Sequence, residues 1–244
     1  MKILAIGNSF SSDATRYLHE ISKKGASPVK VTNLMIGGCS LVYHFLNIKN
    51  NAKAYLVEEN GYSTETYCSI YEAIKKEKWD YITLQQVSHL SINYNTYIPA
   101  LLFLQEYIKL YAPKSKIIFH RTWAYKNDSF RLNMELGYEN HKLMFEDIKK
   151  ASQKAVEKAG IKNIIPAGEL IAKMVVAKIP DIYRDDFHLS YGLGRYAAAA
   201  LWYKYFTGDD IIKNDFNDLD EKTSKEDIIK IKKLINDLKL TSIN

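Results

Sequence analysis

Five short, nearly continuous apolar runs recur along this chain, most of them followed by a longer stretch with helical periodicity. That alternation restricts the fold more than any other feature. The runs are Lys2 to Ile6, Val29 to Met35, Tyr81 to Gln85, Lys116 to His120 and Asn163 to Pro166. A strand with one wet face alternates apolar and polar residues, whereas a run that is apolar throughout suits a strand covered on both faces. The helical stretches are Asp13 to Lys24, Tyr97 to Tyr111, Glu139 to Ala159 and Tyr191 to Phe206. In the third, Leu143, Phe145, Ile148, Ala151, Ala155 and Val156 make one broad apolar stripe, and Pro113 and Gly160 follow the second and third as stop signals. Strand–helix repetition with right-handed crossovers predicts an α/β chain with helices on both faces of a parallel sheet.

With 244 residues, 47% of them hydrophobic, the chain can bury the core of one α/β domain. We expect a single domain over 1–244, with 209–244 as a C-terminal helical extension. Within it, Ser224 to Leu240 alternates Ile/Leu with Lys/Asp at the spacing of an amphipathic helix packed on the body. Segments 47–67 and 125–137 read as irregular loops over a site. The formal net charge is +6. Its lysines, however, spread over nearly every helix beside acidic residues, as in Lys75-Lys76-Glu77-Lys78, and no arginine cluster interleaves with aromatics. Nucleic acid is therefore not an expected partner. Cys39 and Cys68 are too few for a disulfide framework or a metal-ligand set.

The opening run, Met1 to Gly7, is too short for a secretory signal core, and no stretch approaches the ~18 apolar residues that span a bilayer. A cytoplasmic location is expected if the chain is complete, and a secreted or periplasmic one if a leader has been removed. Neither a phosphate-binding loop nor a Gly-x-Gly-x-x-Gly after the first strand is present, which argues against nucleotide binding.

In open α/β sheets ligands gather beyond the carboxyl ends of the strands. Strand one ends in Gly7-Asn8-Ser9-Phe10-Ser11-Ser12-Asp13. One of Ser11, Ser12 and Asp13 suffices to cap the following helix, which leaves Ser9 free at the junction as a nucleophile. Near the other end stands Arg184-Asp185-Asp186-Phe187-His188-Leu189-Ser190, taken as the opening of a helix. Asp185 and His188, three apart, can meet in one turn, so that the carboxylate orients the imidazole as a general base; Asp186 has the wrong spacing and is expected at the surface. Gly37-Gly38 after strand two permits close backbone approach to a ligand. Gln85 and Gln86 end the third run, where a buried amide needs partners or an oxyanion to serve. Trp123 and Tyr125, after strand four, can line a cleft, as can Asn8 and Phe10 beside Ser9. His44 and His89 lie past strand ends without acidic partners, and surface or pocket-lining roles fit them better than a metal site.

In this order, these four features resemble the SGNH (GDSL-like) hydrolase superfamily. The resemblance covers essentially Met1 to Gly208, with Gly7-Asn8-Ser9-Phe10-Ser11 standing for the usual Gly-Asp-Ser-Leu block. It implies a three-layer α/β/α sandwich around a flavodoxin-like five-stranded parallel sheet, and serine ester hydrolysis without cofactor or metal. Ser9 would be the nucleophile, His188 the base and Asp185 its orienter. Ser9 and Gly38 would be oxyanion donors. The third block departs from the family's Gly-x-Asn-Asp: here it reads Leu84-Gln85-Gln86-Val87-Ser88, as in a bacterial subgroup of the superfamily. Strand alternation lets only one glutamine face the site, and Gln86 is favoured over Gln85 as the third donor. The implied substrate is a small O-acyl ester, foremost an acetylated carbohydrate. The alternatives are a short-chain lipid or thioester hydrolase, or a glycan-binding module whose catalysis has lapsed. The oligomeric state is not read from the sequence.

Overall fold

A computed structural model describes residues 1–240. Five parallel strands form the centre: β1 (Lys2–Gly7), β2 (Lys30–Met35), β5 (Tyr81–Leu84), β6 (Lys116–Arg121) and β7 (Ile164–Pro166). They lie in the order β2-β1-β5-β6-β7, so the chain direction along the sheet reverses at β1. β1 is the most deeply set. Ile3 and Ala5 enter one apolar layer and Leu4 and Ile6 the other, as strand alternation requires of a sheet with two covered faces.

The sheet is larger than the expected five strands. Segment 47–67 is not a loop: it holds the end of α3 (Leu41–Lys49), β3 (Tyr55–Glu59) and nearly all of β4 (Tyr62–Cys68). This antiparallel hairpin extends the sheet beyond β2 to seven strands. Its turn is Asn60-Gly61, both at positive φ (54° and 88°), the backbone that a two-residue hairpin demands. A Cβ on Gly61 would also lie 2.0 Å from the Arg16 carbonyl oxygen, so that position excludes any side chain.

One face is covered by α1 (Ser9–Thr15), α2 (Leu18–Lys23), α7 (Ala167–Val176) and α8 (Leu193–Thr207), the other by α3, α4 (Ile70–Lys76) and α5 (Ala100–Tyr111). The helix expected over Asp13 to Lys24 starts earlier, because Asn8, not Ser11, Ser12 or Asp13, caps α1 by accepting from the Phe10 amide, and it is broken in two at Arg16-Tyr17. In α6 (His141–Ala159) the Phe145, Ile148, Ala151, Ala155, Val156 stripe is buried, whereas Leu143 is exposed; Gly160 ends the helix at φ 66°. Segment 125–137 contains one wide helical turn, Arg131–Glu135.

In the C-terminal extension, α9 (Lys225–Asn236) is capped by Ser224 and buries Ile228, Ile231 and Ile235 against α7 and α8. Residues 241–244 of that expected extension lie outside the described residues. Among the described residues, no helix is long and apolar enough to cross a membrane.

Candidate active site

The carboxyl ends of β1, β2 and β5 open on a cavity of ≈ 450 Å³. Ser9, the first residue of α1, stands at its floor. Its amide has no acceptor one turn back within the helix, the usual condition of a first helical residue. The Ser9 hydroxyl lies 2.9 Å from His188 Nε2, and His188 Nδ1 lies 2.7 Å from Asp185 Oδ2. This geometry fixes the tautomer: Nδ1–H donates to the carboxylate and Nε2 accepts from the serine.

Asp185 also shapes the turn that presents the imidazole, since its Oδ1 accepts from the amides of Phe187 (2.9 Å) and His188 (2.7 Å). Burial works to raise the pKa of this half-exposed carboxyl. The His188 and Phe187 amides and the imidazole outweigh burial and hold it below its ordinary value. The Arg184–Ser190 stretch does not open a helix. It is a loop closed by one bridge, Tyr183 to Leu189, and α8 starts at Leu193. Asp186 is half-buried rather than on the surface, and its Oδ2 accepts from the Arg131 amide at 3.2 Å.

Gly38 borders the cavity with φ 65°, in a turn closed by Cys39 N–H donating to the Ile36 carbonyl. Asn8 ties this turn to the serine. Its Nδ2 donates to the Cys39 carbonyl (3.0 Å), while its Oδ1 accepts from Phe10 N (3.0 Å) and Gln85 Nε2 (2.6 Å). Asn8 thus reaches the cavity wall with every polar atom of its side chain already bonded.

Neither glutamine borders the cavity, against the expectation that one of them, with Gln86 favoured, faces the site. Gln86 Oε1 accepts from the amides of Leu41 and Val87, and its Nε2 donates to the Thr96 carbonyl and hydroxyl. Gln85 is spent between Asn8 and His120 Nδ1. From this stretch the residues that border the cavity are Val87, whose side chain has no donor, and Ser88, whose hydroxyl is paired with that of Tyr125. β5 ends at Leu84, so the alternation argument does not extend over the two glutamines.

Of the aromatic candidates, Phe10 and Tyr125 border the cavity, Tyr125 with its hydroxyl 2.9 Å from Ser88 Oγ. Trp123 does not: it is fully buried beneath Phe10. His89 lies at the rim, its pKa lowered by partial burial and then by the Arg131 charge. His44 is neither at the surface nor at the pocket. It is wholly buried, 2.8 Å from the Tyr55 hydroxyl and 3.3 Å from Cys39 Sγ, and burial lowers its pKa to about 3. Sequence reasoning missed Met35, Ser88, Arg131 and Phe187 as cavity residues. Phe187 lay inside the Asp185/His188 spacing and was the one with a visible signal.

The fold is that of SGNH hydrolases. At 22% identity, the chain aligns over 84% of its length with 97% of a protein assigned to those hydrolases from Slackia heliotrinireducens, TM-score 0.61. An acetylxylan esterase from Geobacillus stearothermophilus shares the fold at 13% identity, over 88% of this chain and 94% of that one, TM-score 0.51. A DUF4886 family protein from Bacteroides uniformis is much nearer: 34% identical over 100% of this chain and 98% of that one, TM-score 0.91. No match was found among curated protein sequences. The model of a domain of unknown function, DUF4886, matches residues 2–233. The chain belongs to the DUF4886 family.

Proposed function

We propose that this protein is a serine ester hydrolase acting on small O-acyl esters. The observation that carries the reading is the unbroken chain from Ser9 Oγ through His188 to Asp185, at 2.9 and 2.7 Å. As His188 Nε2 takes the serine proton, Ser9 Oγ bonds to the ester carbonyl carbon. The amides of Ser9 and Gly38 receive the negative charge that develops on the carbonyl oxygen. On collapse, the carbon–alkoxy bond breaks and His188 returns the proton to the leaving alcohol. Water, deprotonated by the same imidazole, then releases the acid from the acyl-serine. Asp185 stabilises the imidazolium in both halves. The oxyanion hole of this reading has two backbone donors and no side-chain amide.

An acetylated carbohydrate remains the favoured substrate. The support is a cavity large enough for a short acyl group and one sugar ring, with His89 and Arg131 at the rim for hydroxyls. A second reading, hydrolysis of a short-chain lipid ester or of a thioester, is favoured by the walls themselves, where Phe10, Met35, Val87 and Phe187 present mainly apolar surface. The hydrogen-bonded Ser9 speaks against a lapsed binding module. The test is labelling of Ser9 by a fluorophosphonate, together with hydrolysis of nitrophenyl esters of rising chain length and of acetylated sugars. Ser9→Ala should abolish both. A wild-type chain that takes no probe and cleaves no ester sinks the hydrolase reading, and a preference for long acyl chains sinks the carbohydrate one.

A further inference from the structure

Asp185 and His188 stand on an irregular loop, yet hydrolysis requires His188 Nε2 to stay within reach of a serine 179 residues away in sequence. We propose that Asp13 is the positioning residue that sets this distance; the inference rests on the ester-hydrolase reading above. Asp13 lies on α1 four residues after Ser9, one helical turn along, and its side chain is wholly buried. Its Oδ2 accepts from the Leu189 amide at 3.0 Å, the peptide that directly follows His188. Both its oxygens accept from Arg184 Nη1, at 2.8 and 3.0 Å, on the residue that directly precedes Asp185. Arg195 Nε, from the first turn of α8, adds a bond of 2.8 Å.

One carboxylate therefore grips the loop on both sides of the Asp185/His188 pair, and it does so from the helix that begins with Ser9. Arg184 Nη1 also donates to the Leu189 carbonyl, closing the loop on itself. A buried carboxylate is stable only when its charge and lone pairs are answered, and here two guanidinium groups and one amide answer them. The pairing is strict in both directions, because removing one partner leaves an uncompensated buried charge.

The C-terminal extension backs the cluster. Asp220 lies 3.8 Å from Arg195 Nη1 and 2.6 Å from Arg16 Nη2. Glu221 Oε2 accepts from the Gly192 amide at 2.8 Å. Arg184 and Arg195 both lie over the Tyr191 ring, at 4.8 and 4.5 Å from its centre. Asp13 borders no part of the cavity, so it acts through His188 and not on substrate.

The experiment compares the wild type with Asp13→Asn, Arg184→Gln and Arg184→Lys. Glu169→Gln serves as the control, since it discharges another largely buried ion pair, Arg121–Glu169, that is bonded to neither the loop nor α1. A displacement near 1 Å is enough to cost about 10² in rate, so kcat on nitrophenyl acetate should fall about 10- to 100-fold in Asp13→Asn and Arg184→Gln. KM should stay within about threefold, the mark of an interaction that matters only in the transition state. Fluorophosphonate labelling of Ser9 should slow in parallel, and Arg184→Lys should recover part of both losses. Glu169→Gln should lower Tm and leave kcat near the wild-type value.

Folded Asp13→Asn and Arg184→Gln proteins with wild-type kcat overturn the proposal. So does a loss no larger than the unfolded fraction explains. Should Asp13→Asn fail to fold, Arg184→Gln decides by the same criteria. A wild type without esterase activity or labelling removes the hydrolase reading itself, an outcome distinct from an active wild type indifferent to Asp13.

Discussion

Trp123 lies flat beneath Phe10, ring centres 4.3 Å apart and planes 3° from parallel, and its indole N–H donates to the Phe187 carbonyl at 2.8 Å. Phe10 follows Ser9 and Phe187 precedes His188, so one buried ring supports both halves of the serine–histidine pair. Trp123→Ala should destabilise the fold by about 3–5 kcal/mol, the usual cost of emptying a buried indole site. Trp123→Phe keeps a stacking surface while losing the hydrogen bond and part of the ring volume, and should cost less than Trp123→Ala. Chemical denaturation and ester turnover measure the two effects; equal losses from both substitutions would contradict this division.

Gln85 and Gln86 should separate cleanly. Gln86→Leu strands the Leu41 and Val87 amides and should cost about 1–3 kcal/mol of stability, with little change in kcat. Gln85→Leu removes a donor from Asn8, which orders both the serine turn and the Gly38 turn, so its effect should appear in kcat. A loss of about 10²–10³ in kcat for folded Gln86→Leu is what a missing oxyanion donor gives, and would restore the reading set aside here.

Ester turnover should rise with pH as the neutral imidazole that can accept the serine proton is formed. Asp185 contributes no second step there, because its carboxyl titrates below its ordinary value and stays ionised throughout. A profile of kcat/KM that is flat from about pH 5 to 8 would remove His188 as the base.

His44 and His120 are wholly buried, and burial lowers the pKa of each to about 3. In the unfolded chain both titrate near 6.5, so below that value the unfolded state binds protons that the folded state refuses. Their contribution is complete at pH 7 and shrinks as pH falls toward 3. At pH 5 the loss is about 2 kcal/mol for each, as an upper bound. Thermal melts at pH 7 and 5 test this, and a Tm unchanged between them would show that the two rings are not held neutral.

The parallel core was legible because strands covered on both faces are apolar throughout, and β1, β2, β5, β6 and β7 lie within two residues of the expected runs. The hairpin was not seen, although Asn60-Gly61 is a strong local turn signal. β4 (Tyr-Ser-Thr-Glu-Thr-Tyr-Cys) lies at the sheet edge with little burial, so it carries no apolar run to find. Asp185 and His188 could be paired on paper because they meet within one turn. Asp13 could not: its arginine partners stand 171 and 182 residues away, and nothing local marks a buried carboxylate. The glutamines misled because their side-chain directions are set in the loop after β5, by Thr96, Asn8 and His120, and not by strand pleating.

The β3–β4 hairpin has a consequence for the molecule in crowded solution. It covers β2, which would otherwise be the outer strand of the parallel sheet, and moves the sheet's outer rim to β4. That rim is a poor template for another chain: it is rich in Ser, Thr and Glu, its register with β3 slips between Leu56 and Glu58, and Glu65 sits at φ 57°. The opposite rim, β7, is only three residues long and ends in Pro166, which has no N–H to offer. Both rims are thus built to refuse strand-by-strand growth, the route by which exposed sheet edges seed insoluble aggregates.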